Sequence, residues 1–238
     1  MYVNRKLFGC LVSLSIIFSS FPGYATDLDT RINRDFSRGV EALQMNQFGE
    51  VIEIMTRIIS QNDYDPSPFI NRGIAYFNLK QYDEAIADFR SAVAIDPLNE
   101  LAYLNLGVAF YNAGDLQNAN TSVNQSIILI ERKLNVARFQ KIDDDIQRNT
   151  RLLSTARRNR GIIRYGQNRY QDSIEDFSWV IQHSTEDEPL SYYLRGMAYQ
   201  AINRQEDACQ DYSYAFYISD VSGSLGTRIQ EEQKKCLR

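Results

Sequence analysis

Small and apolar positions recur along this chain with a long, regular period. Gly39, Gly73 and Gly107 stand 34 residues apart, and Gly161 and Gly196 stand 35 apart. Nine residues after each of the first four comes an aromatic or a leucine: Phe48, Tyr82, Leu116 and Tyr170. A period of 34 is the length of one helix–turn–helix unit of a solenoid, so the spacing predicts paired helices stacked along the chain. The clearest unit reads Phe69-x-x-Arg72-Gly73-x-x-Tyr76, then Ala85-x-x-x-Phe89, Ala92 and Asp96-Pro97. Gly73 falls mid-helix, where Gly costs about 1 kcal/mol against Ala. It and the small Ala85 and Ala92 let the paired helices approach, with Tyr76, Tyr82 and Phe89 filling the space between them. Pro97 ends the second helix.

This unit resembles the tetratricopeptide repeat (TPR), with Phe for the usual Trp and Arg for the usual Leu. Placing each Gly at position 8 gives repeats of approximately 32–65, 66–99, 100–133, 154–187 and 189–222. The first is the most degenerate, as terminal repeats of a stack often are. The resemblance implies an all-α fold: an α-solenoid of TPR helix–turn–helix repeats in a domain 26–238, with a C-terminal capping helix in 223–238. The interval from Gly107 to Gly161 is 54 residues, which leaves a helical insertion at 134–153. That segment has no Gly or Pro, and Leu134, Ala137, Ile142, Ile146, Leu152 and Leu153 recur at near-helical spacing. The second helix of the third repeat is expected to run on, and the first helix of the fourth to start early. Asp143, Asp144 and Asp145 within it are consecutive, so on a helix they point about 100° apart. They read as a solvated helix start, without the geometry of a metal site.

Residues 1–25 do not share the period. Arg5 and Lys6 precede a 15-residue apolar stretch, Leu7 to Phe21, and Gly23-Tyr24-Ala25 offers small residues for cleavage. This is the pattern of a secretory signal peptide, and it is short for a membrane span, which needs about 20 apolar residues. The alternative is retention as an N-terminal anchor. Without Arg5 and Lys6 the chain has 24 basic and 30 acidic residues, a net charge of −6. The expectation is an exported protein, periplasmic or secreted, with no nucleic-acid partner and no stable membrane insertion once the leader is removed.

The search for chemistry is nearly empty. His183 is the single histidine, and no metal-spaced Cys pair or phosphate-binding Gly loop appears. Gly223-Ser224-Leu225-Gly226 lacks the spacing of a nucleophile elbow and is expected in a turn. The chain is therefore read as non-catalytic, with no cofactor and no metal. In TPR proteins the first helices line a concave groove, and the resemblance implies that Asn71, Asn105 and Asn159, all at position 6, form a ladder along it. Phe77, Tyr111 and Tyr165, six residues on, would add apolar contact. The competing reading is that these Asn hold neighbouring helices together and the aromatics pack between repeats. A carboxylate clamp for acidic chaperone tails is not expected, since only Arg158 is basic among positions 2 and 5. Protein or peptide binding in the groove, as an adaptor or assembly factor, is the expected role. Self-association through the long helices of 117–160 into a homo-oligomeric scaffold is the alternative, and an enzyme on a TPR frame comes last.

Two pairings follow from the repeat phase. Arg occupies position 7 as Arg38, Arg72, Arg160 and Arg195, and Asp occupies position 23 as Asp88, Asp176 and Asp211. An Arg–Asp pair sixteen residues apart is expected to lock each hairpin. Cys209 lies 12 residues before a turn near Val221 and Cys236 lies 15 after it. On antiparallel helices these are about 18 and 22 Å from the turn, so a Cys209–Cys236 disulfide is geometrically allowed.

Overall fold

The computed structural model describes residues 27–184, 188–219 and 223–236, so the expected signal peptide, 1–25, lies outside the described residues. Among them are eleven α-helices and no strand: α1 Asp27–Gln44, α2 Phe48–Gln61, α3 Pro66–Asn78, α4 Tyr82–Ile95, α5 Glu100–Ala113, α6 Leu116–Gln140, α7 Asp143–Gly166, α8 Tyr170–His183, α9 Pro189–Ala201, α10 Gln205–Ile218 and α11 Ser224–Cys236. The fold class is an all-α solenoid, each helix packing on the next. The chain forms two compact units that divide between Ser126 and Ile127. In the first, α1 packs on α2, α2 on α3, α3 on α4 and α4 on α5. In the second, α7 packs on α8, α8 on α9, α9 on α10 and α10 on α11. The residues 134–153 lengthen two helices, α6 to 25 residues and α7 to 24. Asp143, Asp144 and Asp145 form the first turn of α7, where carboxylates favour the positive end of the helix dipole. Ser224, Leu225 and Gly226 open α11, which corrects the turn expected there: the segment enters the capping helix at once.

The hairpins turn on one left-handed residue at a fixed repeat position. Asn46, Lys80, Gly114, Asn168 and Asn203 have φ of 58, 63, 96, 61 and 60° and all occupy position 15. In each case the next amide donates to the carbonyl five residues back, as Gln47 to Ala42, Gln81 to Tyr76, Asp115 to Phe110, Arg169 to Arg164 and Arg204 to Tyr199, at 2.8–2.9 Å. This satisfies a carbonyl that the helix end would otherwise leave open. Lys141, φ 56°, ends α6 in the same way, with Ile142 donating to Ala137 at 3.0 Å. Two of the turns between hairpins use side-chain caps instead. The Asp65 carboxylate accepts from the Ser67 amide at 2.8 Å with Pro66 next to it, and Asn99 accepts from Ala102 at 2.9 Å.

The position-8 glycines sit directly against the second helix of their hairpins. A Cβ at 73, 161 or 196 would lie 2.7, 2.7 or 2.6 Å from the ring of Phe89, Phe177 or Tyr212. These rings are almost wholly buried. At 107 the Cβ would lie 2.4 Å from Val123 Cγ2 and 3.0 Å from the Ala119 carbonyl oxygen, which is backbone and gives least. Gly107→Ala is therefore expected to lower stability by about 1–3 kcal/mol, the usual cost of overpacking. Gly49, in the first turn of α2, has nothing within 4 Å of its Cβ position. Gly49→Ala is expected to leave stability unchanged or raise it by up to about 1 kcal/mol. Urea unfolding of the two variants checks both signs.

Candidate functional site

The expected Arg–Asp pairs are forks between the helices of single hairpins. Arg72 donates through Nε and Nη2 to the two Asp88 carboxylate oxygens at 2.9 and 2.7 Å. Arg160 does the same to Asp176 at 2.9 and 2.6 Å, and Arg195 to Asp211 at 2.8 and 2.7 Å. The remaining Nη1 reaches back to the preceding hairpin, from Arg72 to Thr56 Oγ1 at 2.9 Å and from Arg195 to Ser178 Oγ at 3.0 Å. One side chain thus fixes both the angle within a hairpin and the step to its neighbour. Arg38 has no Asp at position 23 and instead meets Glu50 at 2.6 Å on the surface. Burial pushes the Asp211 carboxyl above its ordinary value, with the Arg195 hydrogen bond opposing it.

Asp176 gathers more charge than the other two. It is 1% exposed, accepts from Arg164 Nη1 at 2.8 Å as well as from Arg160, and has Arg157 Nη1 at 3.7 Å. Burial lowers the Arg164 guanidinium from its ordinary value; Asp176 works against that shift and Arg160 adds to it. Arg157 also binds Glu131 at 2.8 Å and lies over the Trp179 ring, 4.6 Å from its centroid. Trp179 in turn stacks on His183, centroids 4.2 Å apart and planes 6° apart.

The residues expected to line a groove are distributed differently. Asn71 and Asn105 are 3% and 8% exposed, in the first unit. Both are enclosed side chains; α3, which carries Asn71, packs on α1, α2, α4 and α5. Asn159, in the second unit, is half-buried. The Asn71 and Asn159 amide nitrogens are buried without a hydrogen-bond partner. Phe77, Tyr111 and Tyr165 are half-buried. Phe77 packs on Tyr82, ring centroids 5.5 Å apart, and Tyr165 on Tyr170 at 5.2 Å. These contacts close the tip of a single hairpin, where the alternative reading had placed them between repeats. Arg158, the one basic residue at a clamp position, is held by Glu188 at 2.7 Å.

The second unit has a cleft that the repeat positions did not indicate. It measures about 500 Å³ and runs along the extended part of α7. Ile146, Thr150, Ser154 and Arg158 form one stripe, four residues apart, and Gln147, Arg151 and Thr155 form the next; His183, Ser184 and Glu188 make the opposite wall. Most polar groups there are already engaged. The Thr150, Ser154 and Thr155 hydroxyls donate to carbonyls one turn back. Glu188 accepts from Arg158, Ser184 and Ser191. His183 Nδ1 lies 2.9 Å from the Trp179 carbonyl, which can only accept, so Nδ1 carries the proton and Nε2 is an acceptor in the neutral ring. Arg151 is exposed and makes no ion pair among the described residues. The open functions are therefore a guanidinium, the Gln147 amide and an imidazole nitrogen. Arg151 and the Gln147 N–H groups suit a carboxylate or backbone carbonyls, and the imidazole nitrogen suits a backbone N–H.

Residues 65–114 match a family model described as a TPR repeat. They span α3 to α5, with Gly73, Gly107 and the Arg72–Asp88 fork among them. The chain carries tetratricopeptide repeats. Solved structures agree with the TPR fold. A MamA protein aligns with a TM-score of 0.63 at 16% identity, over 86% of this chain and 94% of that one. A thermophilic TPR protein of Thermus thermophilus, TTC0263, aligns with a TM-score of 0.56 at 15% identity, over 84% and 98%. At such identities the likeness concerns the fold. No curated protein matches the sequence.

Proposed function

We propose that this chain is a non-catalytic, exported adaptor or assembly factor that binds a segment of another protein along α7. A TPR fold goes with a protein-interaction or scaffold role, and the observation that carries the finer reading is the α7 cleft. It is large enough for several side chains, and its three open polar groups recognise without reacting. The expected occupant is a peptide of mixed character that places a carboxylate or backbone carbonyls near Arg151. Tyr165, half-buried on the same helix, supplies apolar contact in the same reading, and Asn159 of that helix a polar one. Capture with the full chain, followed by mass spectrometry, tests it. Arg151→Glu is expected to lose the captured partner with its thermal unfolding unchanged, because Arg151 is exposed and unpaired. The same partners retained by Arg151→Glu would rule the cleft out.

Export rests on the leader pattern and on the two cysteines that follow it, which lie 5.6 Å apart between Cα atoms. Oxidising compartments are where such bonds persist. The exported protein is expected to begin after Ala25 and to show no free thiol by titration. A chain found in the cytoplasm with reactive Cys209 and Cys236 would contradict this.

A further inference from the structure

Beyond Ser126, α6 has two apolar faces. Leu129, Ile130, Leu134 and Ala137 are buried. On the other side Ile128, Val136 and Phe139 are 58, 50 and 89% exposed, and Ile142, just past the helix, is 41% exposed. Ile128, Arg132, Asn135, Val136 and Phe139 recur three to four residues apart or side by side, so they form one stripe. With Glu131 they line a shallow surface cleft. Scattered exposed apolar residues are ordinary, whereas a contiguous stripe of this kind marks an interaction surface.

We propose that a second copy of this chain docks on this stripe, the two α6 helices lying antiparallel about a two-fold axis beside Asn135 and Val136. The inference uses none of the α7 cleft residues and stands or falls separately from it. A two-fold contact needs a self-complementary patch, and the stripe supplies one. An axis between residues 135 and 136 sets Arg132 level with the partner copy's Phe139, cation against ring. Arg132 is exposed and makes no ion pair among the described residues, so its charge is available to that ring. The four exposed apolar side chains offer on the order of 500 Å² per copy, a large part of the roughly 800 Å² that each partner of a stable pair buries. The polar flanks account for the rest.

Sedimentation velocity of the full chain across micromolar concentrations reads the assembly. The expected result is a monomer–dimer equilibrium. Phe139→Asp is expected to raise the dissociation constant at least about 30-fold, as loss of a central aromatic anchor does, with unchanged helical circular dichroism because Phe139 touches little of its own chain. Arg132→Ala should weaken the dimer, because it takes the cation from the partner copy's Phe139 ring. Asn135→Cys, next to the axis, should form a disulfide-linked dimer on mild oxidation, whereas Ile128→Cys should not. A monomer at every concentration, whatever else covers the stripe, overturns the inference. So does a dimer indifferent to Phe139→Asp, or one cross-linked by Ile128→Cys in place of Asn135→Cys.

Discussion

Asp176→Ala is expected to lower the free energy of unfolding by about 3–5 kcal/mol, the range for removing one partner of a buried ion pair. The reason is the asymmetry of the cluster. A single carboxylate, 1% exposed, faces Arg160 through a two-pronged fork, Arg164 at 2.8 Å and Arg157 at 3.7 Å. Arg157 also meets a second carboxylate, Glu131. Without Asp176 the cations repel one another where burial already disfavours the Arg164 charge. The hairpin of α7 and α8 also loses the fork that sets its angle. Asp88→Ala is the internal comparison. It removes the same fork from one Arg, and Arg72 keeps its bond to Thr56. Its cost is expected to be smaller, by about 1–2 kcal/mol, since fewer charges are stranded. Equilibrium denaturation of both variants gives the order; equal losses would mean that the extra arginines at Asp176 contribute nothing.

Removing the Cys209–Cys236 bond is the second large effect. The two residues are 27 apart in sequence, and closing a loop of that length stabilises by about 3.5 kcal/mol in the chain-entropy picture. The non-covalent hold on α11 is thin. Its buried residues are Gly226 and Ile229, and full burial of one Ile is worth about 2–3 kcal/mol. The bond therefore supplies as much as the packing does. Cys236→Ser, or reduction of the native protein, is expected to lower the melting temperature by about 10 °C for a chain of this size. Amide exchange along Ser224–Cys236 should then run ahead of exchange in α10. Identical unfolding of the oxidised and reduced chains would show that packing alone holds α11.

The sequence made the hairpins legible because their constraint falls on residue types with few substitutes. Only Gly at 73, 107, 161 and 196 leaves room for Phe89, Val123, Phe177 and Tyr212, so period and phase stood out. The Arg–Asp forks were visible for a similar reason, since a planar fork needs a carboxylate at a fixed distance. The left-handed turn residues were not, although they too share one repeat position. Asn stands there in three repeats and Lys and Gly in the other two, so no single letter marks all five. The α7 cleft escaped because the insertion that builds it lies outside the 34-residue period. Arg151 and Gln147 have no counterpart in the other repeats. The burial of Asn71 and Asn105 was hidden for the opposite reason: periodicity showed a shared position and left its burial open. Burial depends on how closely the first helices approach.

Binding of a protein segment along α7 has a direct probe in His183. It is the single histidine of the sequence and forms one wall of the cleft. Its ring protons therefore give an isolated pair of NMR resonances. Titrating a peptide taken from a captured partner is expected to shift those resonances to saturation at the same concentration as the binding isotherm. Arg151→Glu is expected to abolish both together. Saturable binding that leaves the His183 resonances in place would put the binding site elsewhere and contradict the claim.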